Sequence, residues 1–598
     1  MFISSFFKII NRPFMPTGAE LVAHFLRKAG IKYVFGIPGH GNASFVDALV
    51  EVYPDVTFIP VKHEQWGGHM ADGYFRANRK VPAVVTTSVG PGATNLATAL
   101  ATAFVDSSTF IAITGQIQTY LFGMGIFQEI ERHHWVDYVN LMRHITKRAW
   151  LITNIRQLPR VLVNAFKEAV TGRPGPVLID FPMDMQVANI EVDIPDVKDY
   201  LPISNRAAPD PEAVRKAVDL LLSAERPLIL IGGGVVMSDA TEELIKVAEF
   251  LGAPVVTSFR GDAKGGFPED HELYAFSIGN IGSLVGNELA KNADVILAVG
   301  VTFSDETTSS YRPGVTLNIP PTKLIHIDID PHEIGKNYPV AVGMVADAKL
   351  ALRAIYEELT RRVSKRDYKN SPWYLRMKEL KEKWLQEIED LRSKAPMGIP
   401  NIVKLTRNVL PRDAIITLSA GLPQEIFSQQ WIAYYPRTFI SSGGFSTMGF
   451  ALPAAIGAKL ASPNNVVVAI EGDGSFLMNN VELSTAVQNN IPITVVILNN
   501  YGWISIRDLQ IRRYAEHIFA TEFMRGKERY VIDFEKIAKA YGAEYFRAET
   551  PDEYMKALSS AIKMSVPTVI ETIVETRFPY SGSIAYGYWD IPSPYVRD

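Results

Sequence analysis

The sequence predicts an α/β protein made of three consecutive doubly wound parallel-sheet domains. Three observations predict it. Short apolar runs alternate with segments of helical spacing, as buried parallel strands alternate with their crossover helices. The rhythm starts afresh three times in 598 residues, a length suited to three or four domains. Glycine-rich turns follow several of the apolar runs, where open α/β sheets bind ligands.

The first domain is assigned to residues 16–190. Ala19–Ala29 has helical spacing and stops at Gly30. Val81–Thr87, Phe110–Thr114 and Pro176–Phe181 read as buried strands, and Leu158–Val170 as a helix between strands. Pro195, Pro202 and Pro209 then punctuate a linker. In the second domain, 205–360, Pro211–Ser223 and Thr241–Leu251 read as helices. Pro227–Ile231, Ala293–Val299 and Lys323–Ile329 read as strands, the first ending in Gly232-Gly233-Gly234. Residues 361–395 are dense in charge, from Arg361, Arg362, Lys365 and Arg366 to Lys394, and predict a solvated connecting helix. The third domain, 396–575, has strands at Ala414–Leu418, Val466–Ile470, Ile493–Leu498 and Thr568–Val574. Residues 576–598 form an aromatic, irregular tail, whose Tyr586, Tyr588 and Trp589 read equally as a lid over a ligand site or as a terminus that packs elsewhere or frays.

Composition narrows the function classes. Hydrophobic residues are 47% and charged residues 21%, which supports large cores and excludes a disordered chain. Sixty Lys and Arg stand against 64 Asp and Glu, so no basic face points to nucleic acid. The chain has no cysteine, which excludes disulfides, thiolate metal sites and cysteine nucleophiles and fits a reducing cytoplasm. Met1–Ile10 is apolar but lacks a preceding basic region and a small-residue cleavage site, so it reads as a frayed extension before a domain starting near Met15. No run reaches about 18 uninterrupted apolar residues, so no membrane partner is expected.

One constellation carries chemistry. The strand Val466–Ile470 runs through Glu471 into Gly472-Asp473-Gly474-Ser475, and the strand Ile493–Leu498 ends at Asn499-Asn500. One helical segment, around Val481–Gln488, is expected between them. This crossover puts Asp473 and Asn500 at the carboxyl ends of neighbouring strands. Both offer hard oxygen. Mg²⁺ takes octahedral oxygen, commonly one or two carboxylates together with phosphate oxygens. The glycines let backbone approach a phosphate, and a following helix directs its free N–H groups there. Gly-Asp-Gly alone is weak, since it occurs in ordinary turns. The strand before it and the second strand ending in Asn-Asn give it weight.

At these residues the chain resembles the thiamine-diphosphate enzymes related to acetolactate synthase, whose signature is Gly-Asp-Gly followed, after a similar gap, by Asn-Asn. The resemblance spans about Thr17 to Val574 and implies pyrimidine-binding, middle and diphosphate-binding domains in that order. It implies Mg²⁺ held by Asp473, the Asn500 side chain and the Gly502 carbonyl. It implies thiamine diphosphate contacts at Gly421, Ser446, Met448, Gly472, Asp473, Gly474, Ser475, Asn500, Gly502 and Trp503. Met448 would prop the cofactor into a bent shape, a steric role that shades into plain packing.

The first domain extends the match. Val61-Lys62-His63-Glu64-Gln65 precedes Ala71-Asp72-Gly73-Tyr74. Local pattern alone makes Glu64 a surface residue at a helix start. The family carries the same His-Glu and Ala-Asp-Gly-Tyr, and its Glu protonates the cofactor's aminopyrimidine ring so that the thiazolium C2 proton can leave. A carboxyl removed from water holds its proton more firmly, which suits that relay. Val89-Gly90-Pro91-Gly92-Ala93-Thr94-Asn95 matches the family's turn beside the cofactor and adds Gly90, Pro91, Gly92 and Asn95 to the binding set. Phe127-Gln128-Glu129 matches a substrate-facing segment, so Phe127 and Gln128 join Glu64 as catalytic candidates; outside the family match, Gln128 reads as a polar loop residue. His63, His133 and His134 lack ligand spacing and predict no metal site.

Other positions depart from the family. Leu509 stands where acetolactate synthases commonly have Trp, although Arg507 and Gln510 fit. Gly39-His40-Gly41-Asn42, Phe519–Phe523 and Tyr588–Pro592 are similar to cyclic-dione hydrolases. His326-Ile327-Asp328-Ile329-Asp330, Glu333 and Asp347 match residues that hold FAD, yet Thr302 replaces an expected Arg, and Ser277-Ile278-Gly279-Asn280 replaces a Gly-Met-His-Gly turn. FAD is therefore half supported, and it need not react. The leading expectation is a carboligase or lyase of 2-oxo acids such as pyruvate. The alternative is a hydrolase of a cyclic 1,2-dione. A non-catalytic cofactor-binding homologue is disfavoured by Glu64. A Rossmann dehydrogenase is disfavoured because Gly232-Gly233-Gly234 lacks the G-x-G-x-x-G pattern. The resemblance further implies that Glu64 of one subunit faces Asp473 of another, hence a homo-oligomer, at least a dimer and in full a dimer of dimers.

Overall fold

A computed structural model describes residues 15–130, 138–201, 206–259, 261–579, 581–582 and 584–595. The expected extension Met1–Ile10, the residues His133 and His134, and Pro202 of the linker lie outside the described residues. The chain divides into two compact units, residues 1–75 with 79–205, and residues 76–78 with 206–598.

The first unit holds β1 (Tyr33–Gly36), β2 (Thr57–Pro60), β3 (Val84–Thr87), β4 (Ile111–Gln116), β5 (Arg148–Leu151) and β6 (Val177–Pro182). They form one sheet in the order β2-β1-β3-β4-β6-β5, parallel throughout. β3, β4 and β6 are buried at every residue, as strands covered on both faces should be. β3 starts at Val84 instead of Val81, because Pro82 has no N–H to give a ladder. The helix Leu158–Val170 lies within its predicted bounds. The helix Gly18–Lys28 opens with a capping box between Thr17 and Glu20. The strand order reverses between β1 and β3, so a ligand crevice belongs at their carboxyl ends.

The second unit holds two further sheets. β7 (Pro227–Ile231), β8 (Val255–Thr257), β9 (Tyr274–Ser277), β10 (Val295–Val299), β11 (Lys323–Asp328) and β12 (Val342–Val345) run in the order β12-β11-β10-β7-β8-β9. β13 (Ile415–Leu418), β14 (Phe439–Ser441), β15 (Val467–Gly472) and β16 (Thr494–Asn499) belong to the last sheet. After a small hairpin, β17 (Met524–Arg525) and β18 (Glu528–Arg529), come β19 (Glu544–Ala548) and β20 (Thr568–Ile573). That sheet has the order β14-β13-β15-β16-β20-β19 and is parallel. The predicted class, three doubly wound parallel sheets, is the observed one.

Two expectations need correction. The charged stretch after residue 361 is not simply a solvated helix. The helix Ala348–Arg362 ends there, and a second helix, Pro372–Lys394, follows. It sinks Trp373, Tyr374, Met377, Leu380, Trp384 and Ile388 into the core of the middle sheet. From Tyr374 onward these stand three or four apart, an apolar stripe on an otherwise charged helix. Trp373 Nε1 also donates to the Pro227 carbonyl at 3.0 Å, at the start of β7. The second correction concerns the Gly-Asp-Gly crossover. A helix, Asp473–Asn479, begins at the motif itself, followed by a tighter turn, Asn480–Glu482, and the helix Leu483–Gln488.

Within this unit the two sheets are tied by a buried ion pair. Lys264 Nζ lies 3.0 Å from Glu269 Oε2, with both side chains out of water. The same carboxylate accepts the N–H of Ala433 at 2.9 Å, in the segment that leads into β14. Burial still raises the Glu269 pKa against these partners. Among the described residues no helix is long and apolar enough to cross a membrane.

Candidate cofactor site

The site is built where β15 and β16 end side by side. Gly472 caps the helix that starts at Asp473, so the Asp473 carboxylate sits at a helix N-terminus, 1% exposed. Its Oδ1 accepts from Gly474 N at 3.0 Å and its Oδ2 from Gly502 N at 3.1 Å. The Asn500 amide oxygen lies 2.9 Å from the Gly502 carbonyl oxygen and 3.2 Å from Asp473 Oδ1. An amide nitrogen turned into that place would donate to both; an oxygen there is left facing two oxygens. Octahedral Mg²⁺ with ligands at about 2.1 Å separates adjacent oxygens by about 3.0 Å, so both spacings suit one cation once the amide oxygen faces it. Burial pushes the Asp473 pKa up to about 7 although four backbone N–H groups oppose it. A cation beside it would restore the charged form.

The remaining cradle faces one cavity of about 400 Å³. Gly421, Ser446, Met448, Gly472, Asp473, Gly474, Ser475, Asn500, Gly502 and Trp503, all expected at the cofactor, line it together. Gly421 has φ 103°, a left-handed geometry that suits glycine, and precedes the helix Leu422–Gln430. Ser446 donates to Gln424 Oε1 at 2.8 Å, and Gln424 Nε2 donates to Ser441 Oγ at 2.7 Å. Ser475 Oγ accepts from Gly449 N at 2.7 Å, fixing the turn that carries Met448. A Cβ on Gly474 would stand 2.8 Å from Trp503 Nε1, so only glycine fits under that indole.

Sequence reasoning missed several members. Asn280 and Ile281 reach the cavity from the loop after β9, and Ala585, Gly587 and Ile591 reach it from the tail beside Tyr588 and Trp589, which the sequence offers as a wall over the cofactor. Only the chain's return brings these segments together. Glu471 was passed over as the end of a strand. It is fully buried, accepts from Ser419 Oγ at 2.9 Å and Asn479 Nδ2 at 3.1 Å, and burial pushes its pKa up to about 7.

In the first unit a second group gathers. Glu64 is the first residue of the helix Glu64–Asn78, whose N-cap is the His63 side chain. The surface position suggested by local pattern is wrong, since Glu64 is 7% exposed. Asn95 Nδ2 donates to Glu64 Oε2 at 2.9 Å. A Cβ on Gly92 would lie 2.9 Å from Glu64 Oε1. Pro91 opens the short helix Pro91–Thr94. Gly90 has φ 62°, and a Cβ there would strike the Gln128 carbonyl at 2.5 Å. Gln128 itself has φ 63°, and its buried Oε1 has no hydrogen-bond partner among the described residues. Phe127 is 76% exposed and lies beside the His40 ring, centroids 5.8 Å apart. The structure thus groups Glu64, Gly90, Pro91, Gly92, Asn95, Phe127 and Gln128 at one end of the first sheet.

The residues matched to FAD fit less well. Asp347 caps the helix Ala348–Arg362, accepts from Arg206 Nη1 at 2.9 Å and takes the Ser238 hydroxyl at 2.8 Å. His326 Nε2 pairs with the Val301 carbonyl at 3.1 Å, and Phe303 packs edge-on against its ring, with Tyr338 against Phe303 in turn. At the reversal of the strand order, between β7 and β10, a Cβ on Gly232 would stand 2.0 Å from the Gly300 oxygen, so backbone meets backbone there. Gly279 and Asn280 receive the tail instead, with Gly587 N donating to the Asn280 carbonyl at 3.1 Å. The matched side chains serve the protein's own contacts, and no chemical step is assigned to a flavin.

Comparison with known proteins agrees with this geometry. Three thiamine pyrophosphate enzyme models match: the N-terminal TPP binding domain over residues 16–135, the central domain over 214–355 and the C-terminal TPP binding domain over 419–572. A probable acetolactate synthase large subunit of Methanocaldococcus jannaschii is 38% identical, covering 93% of this chain and 92% of its own length. The acetolactate synthase large subunit of Corynebacterium glutamicum is 36% identical over 93% and 87%. The isozyme 3 large subunit of Escherichia coli is 34% identical over 92% of each. These relatives lend no support to the dione-hydrolase resemblance of the tail. With the residues of both cofactor-binding domains in place and such similarity over nearly the full length, the chain belongs to the thiamine pyrophosphate enzymes and is similar to the large subunits of acetolactate synthase.

Proposed function

We propose that this chain is a thiamine-diphosphate- and Mg²⁺-dependent carboligase or lyase acting on 2-oxo acids such as pyruvate. The observation that carries the reading is the convergence of Asp473, Asn500 and Gly502, at the ends of β15 and β16, on one cavity with the rest of the expected cradle. Bound there, thiamine diphosphate supplies an acidic ring carbon that can add to a carbonyl and hold the resulting charge.

The chain's own groups divide the remaining work. Asp473, Asn500 and the Gly502 carbonyl bind Mg²⁺, and the N–H groups at the start of the helix Asp473–Asn479 meet phosphate oxygens. Gly421, Ser446, Ser475 and Trp503 would border the diphosphate, and Met448 would support the cofactor. Glu64, buried and oriented by Asn95, would face the aminopyrimidine ring nitrogen as the acid of the relay. Gly90, Pro91 and Gly92 keep side chains away from that ring. Gln128 offers an unsatisfied amide oxygen to a substrate, with Phe127 beside it. The assembly is a homo-oligomer, a dimer of dimers, with no nucleic-acid or membrane partner and a cytoplasmic location. FAD is not part of the working site.

The deciding experiment strips the protein of metal and cofactor, then restores them singly and together while pyruvate consumption and 2-acetolactate formation are followed. Activity is expected only with both present. Activity after complete removal, or none on any 2-oxo acid with both bound, overturns the reading. A second reading, hydrolysis of a cyclic 1,2-dione, draws on Leu509, Tyr588 and Trp589 in the cavity wall. Ring-opened acid formed from cyclohexane-1,2-dione but not 2-acetolactate from pyruvate would favour it. Flavin content is read from the same purified protein by its absorbance, expected to be nil.

A further inference from the structure

The cavity that holds the expected metal ligands is also lined by two cations that the cofactor residues do not require. The helix Ile504–Arg513 starts beside Gly502, and Ser505, Leu509, Arg512 and Arg513 all border the cavity. They occur at i, i+4, i+7 and i+8, one face of a helix. The stripe begins with a hydroxyl next to the metal ligands, passes an aliphatic side chain and ends in two guanidinium groups. At 1.5 Å per residue, Ile504 and Arg513 lie about 14 Å apart along the axis.

Arg513 is held by the tail. Its Nη2 donates to the Trp589 carbonyl at 3.1 Å, and its Cζ lies 5.7 Å from the Tyr588 ring centroid. Arg312, from the loop after β10, covers the same ring at 4.6 Å. Trp589 Nε1 donates to Asp305 Oδ2 at 3.3 Å, and Asp590 N donates to Ser310 Oγ at 2.9 Å. The tail is thus fastened to the middle sheet's loop while it carries Arg513 on its other side. The same wall carries the apolar side chains of Ile281, Ile506, Leu509 and Ile591. The other charged groups on the wall are Glu425 and Asp473, and the metal would offset the second. An aliphatic slot closed by a fixed guanidinium suits a small molecule with an anionic end, and guanidinium pairs with carboxylate through two parallel N–H donors.

We propose that Arg513 is the specificity-determining residue of this chain, receiving the carboxylate of the 2-oxo acid and selecting it over neutral carbonyl compounds. This rests on the thiamine-dependent reading above. A purely structural Arg513 would clamp the tail and complement the negative end of its helix. The two roles separate in one experiment on the holoenzyme with thiamine diphosphate and Mg²⁺. KM and kcat are measured for pyruvate, together with the inhibition constant of methyl pyruvate, its uncharged ester. Arg513→Gln is expected to raise the pyruvate KM at least tenfold and to shift the methyl pyruvate constant less than twofold. Arg513→Lys, which keeps the charge but not the paired donors, should recover part of the loss. An unmoved KM, equal losses for acid and ester, or wild-type protein that prefers the ester overturns the proposal. Melting temperatures and cofactor titration of each variant are read alongside. If wild-type activity persists without thiamine diphosphate, the cofactor reading has failed; if cofactor dependence is intact and the acid preference survives Arg513→Gln, only the Arg513 proposal has.

Discussion

The Asn500 amide lies 3.2 Å from Asp473 Oδ1, in a pocket where neither residue is exposed beyond 6%. The amide nitrogen can donate to that carboxylate; a cation beside Asp473 would draw the amide oxygen round instead. Asp473→Ala removes the charged member, and Mg²⁺ and thiamine diphosphate are expected to be lost together, with affinity falling about a hundredfold or more. Calorimetric titration of the variant with both ligands checks this. Tight binding of either to Asp473→Ala would place the metal elsewhere.

Glu64→Gln keeps the shape and the Asn95 contact but has no proton to give. It is expected to bind cofactor normally and to slow C2–H exchange by about 10²–10⁴-fold. NMR of that exchange is the measurement, and an unchanged rate removes Glu64 from the relay. Mixing Glu64→Gln with Asp473→Ala chains should recover some activity if subunits share sites. No recovery under proven subunit exchange counts against sharing.

Lys264 and Glu269 form a closed pair, with side chains 3% and 0% exposed. Lys264→Met leaves a buried carboxylate without its counter-charge and should cost about 3–5 kcal/mol. The double change Lys264→Met with Glu269→Leu should restore most of that. Urea melts of the three variants decide it; a double variant as weak as the single one would mean that packing, not charge, is at stake.

Asp180, on β6, is buried at 0% exposure, and burial lifts its pKa from 3.8 to about 7 against hydrogen bonds from Gln116 and Thr114. The folded protein therefore binds this proton more tightly than the unfolded chain. The resulting stabilisation is complete below pH 4 and is lost as pH rises through 7, with a slope of at most about 1.4 kcal/mol per pH unit. Asp180→Asn should flatten that part of the pH profile. Unfolding free energies between pH 4 and 8 test the sign, and an identical slope in the variant refutes it.

The tail meets both the cavity and the middle sheet, so deleting residues 577–598 should lower turnover at least tenfold while thiamine diphosphate still binds. Unchanged kinetics on pyruvate would show the tail to be uninvolved.

The sequence by itself determined the repeated strand-helix rhythm, since buried parallel strands must be continuously apolar and their crossovers amphipathic. It also determined the cofactor motif at Gly472–Ser475 and Asn500, because local spacing puts both at adjacent strand ends. Glu64 was legible only through family likeness; its burial comes from the turn around Gly92 and Asn95, about 30 residues along the chain. The apolar stripe from Trp373 to Ile388 was masked by the charges on the opposite face of its helix, and packing against the middle sheet brought it out. Asn280, Arg513 and Trp589 share a cavity although hundreds of residues separate the first from the last. No local pattern encodes such a meeting. It is decided by the tail's backbone bonds to Asn280 and Arg513, which exist only once the sheets have formed.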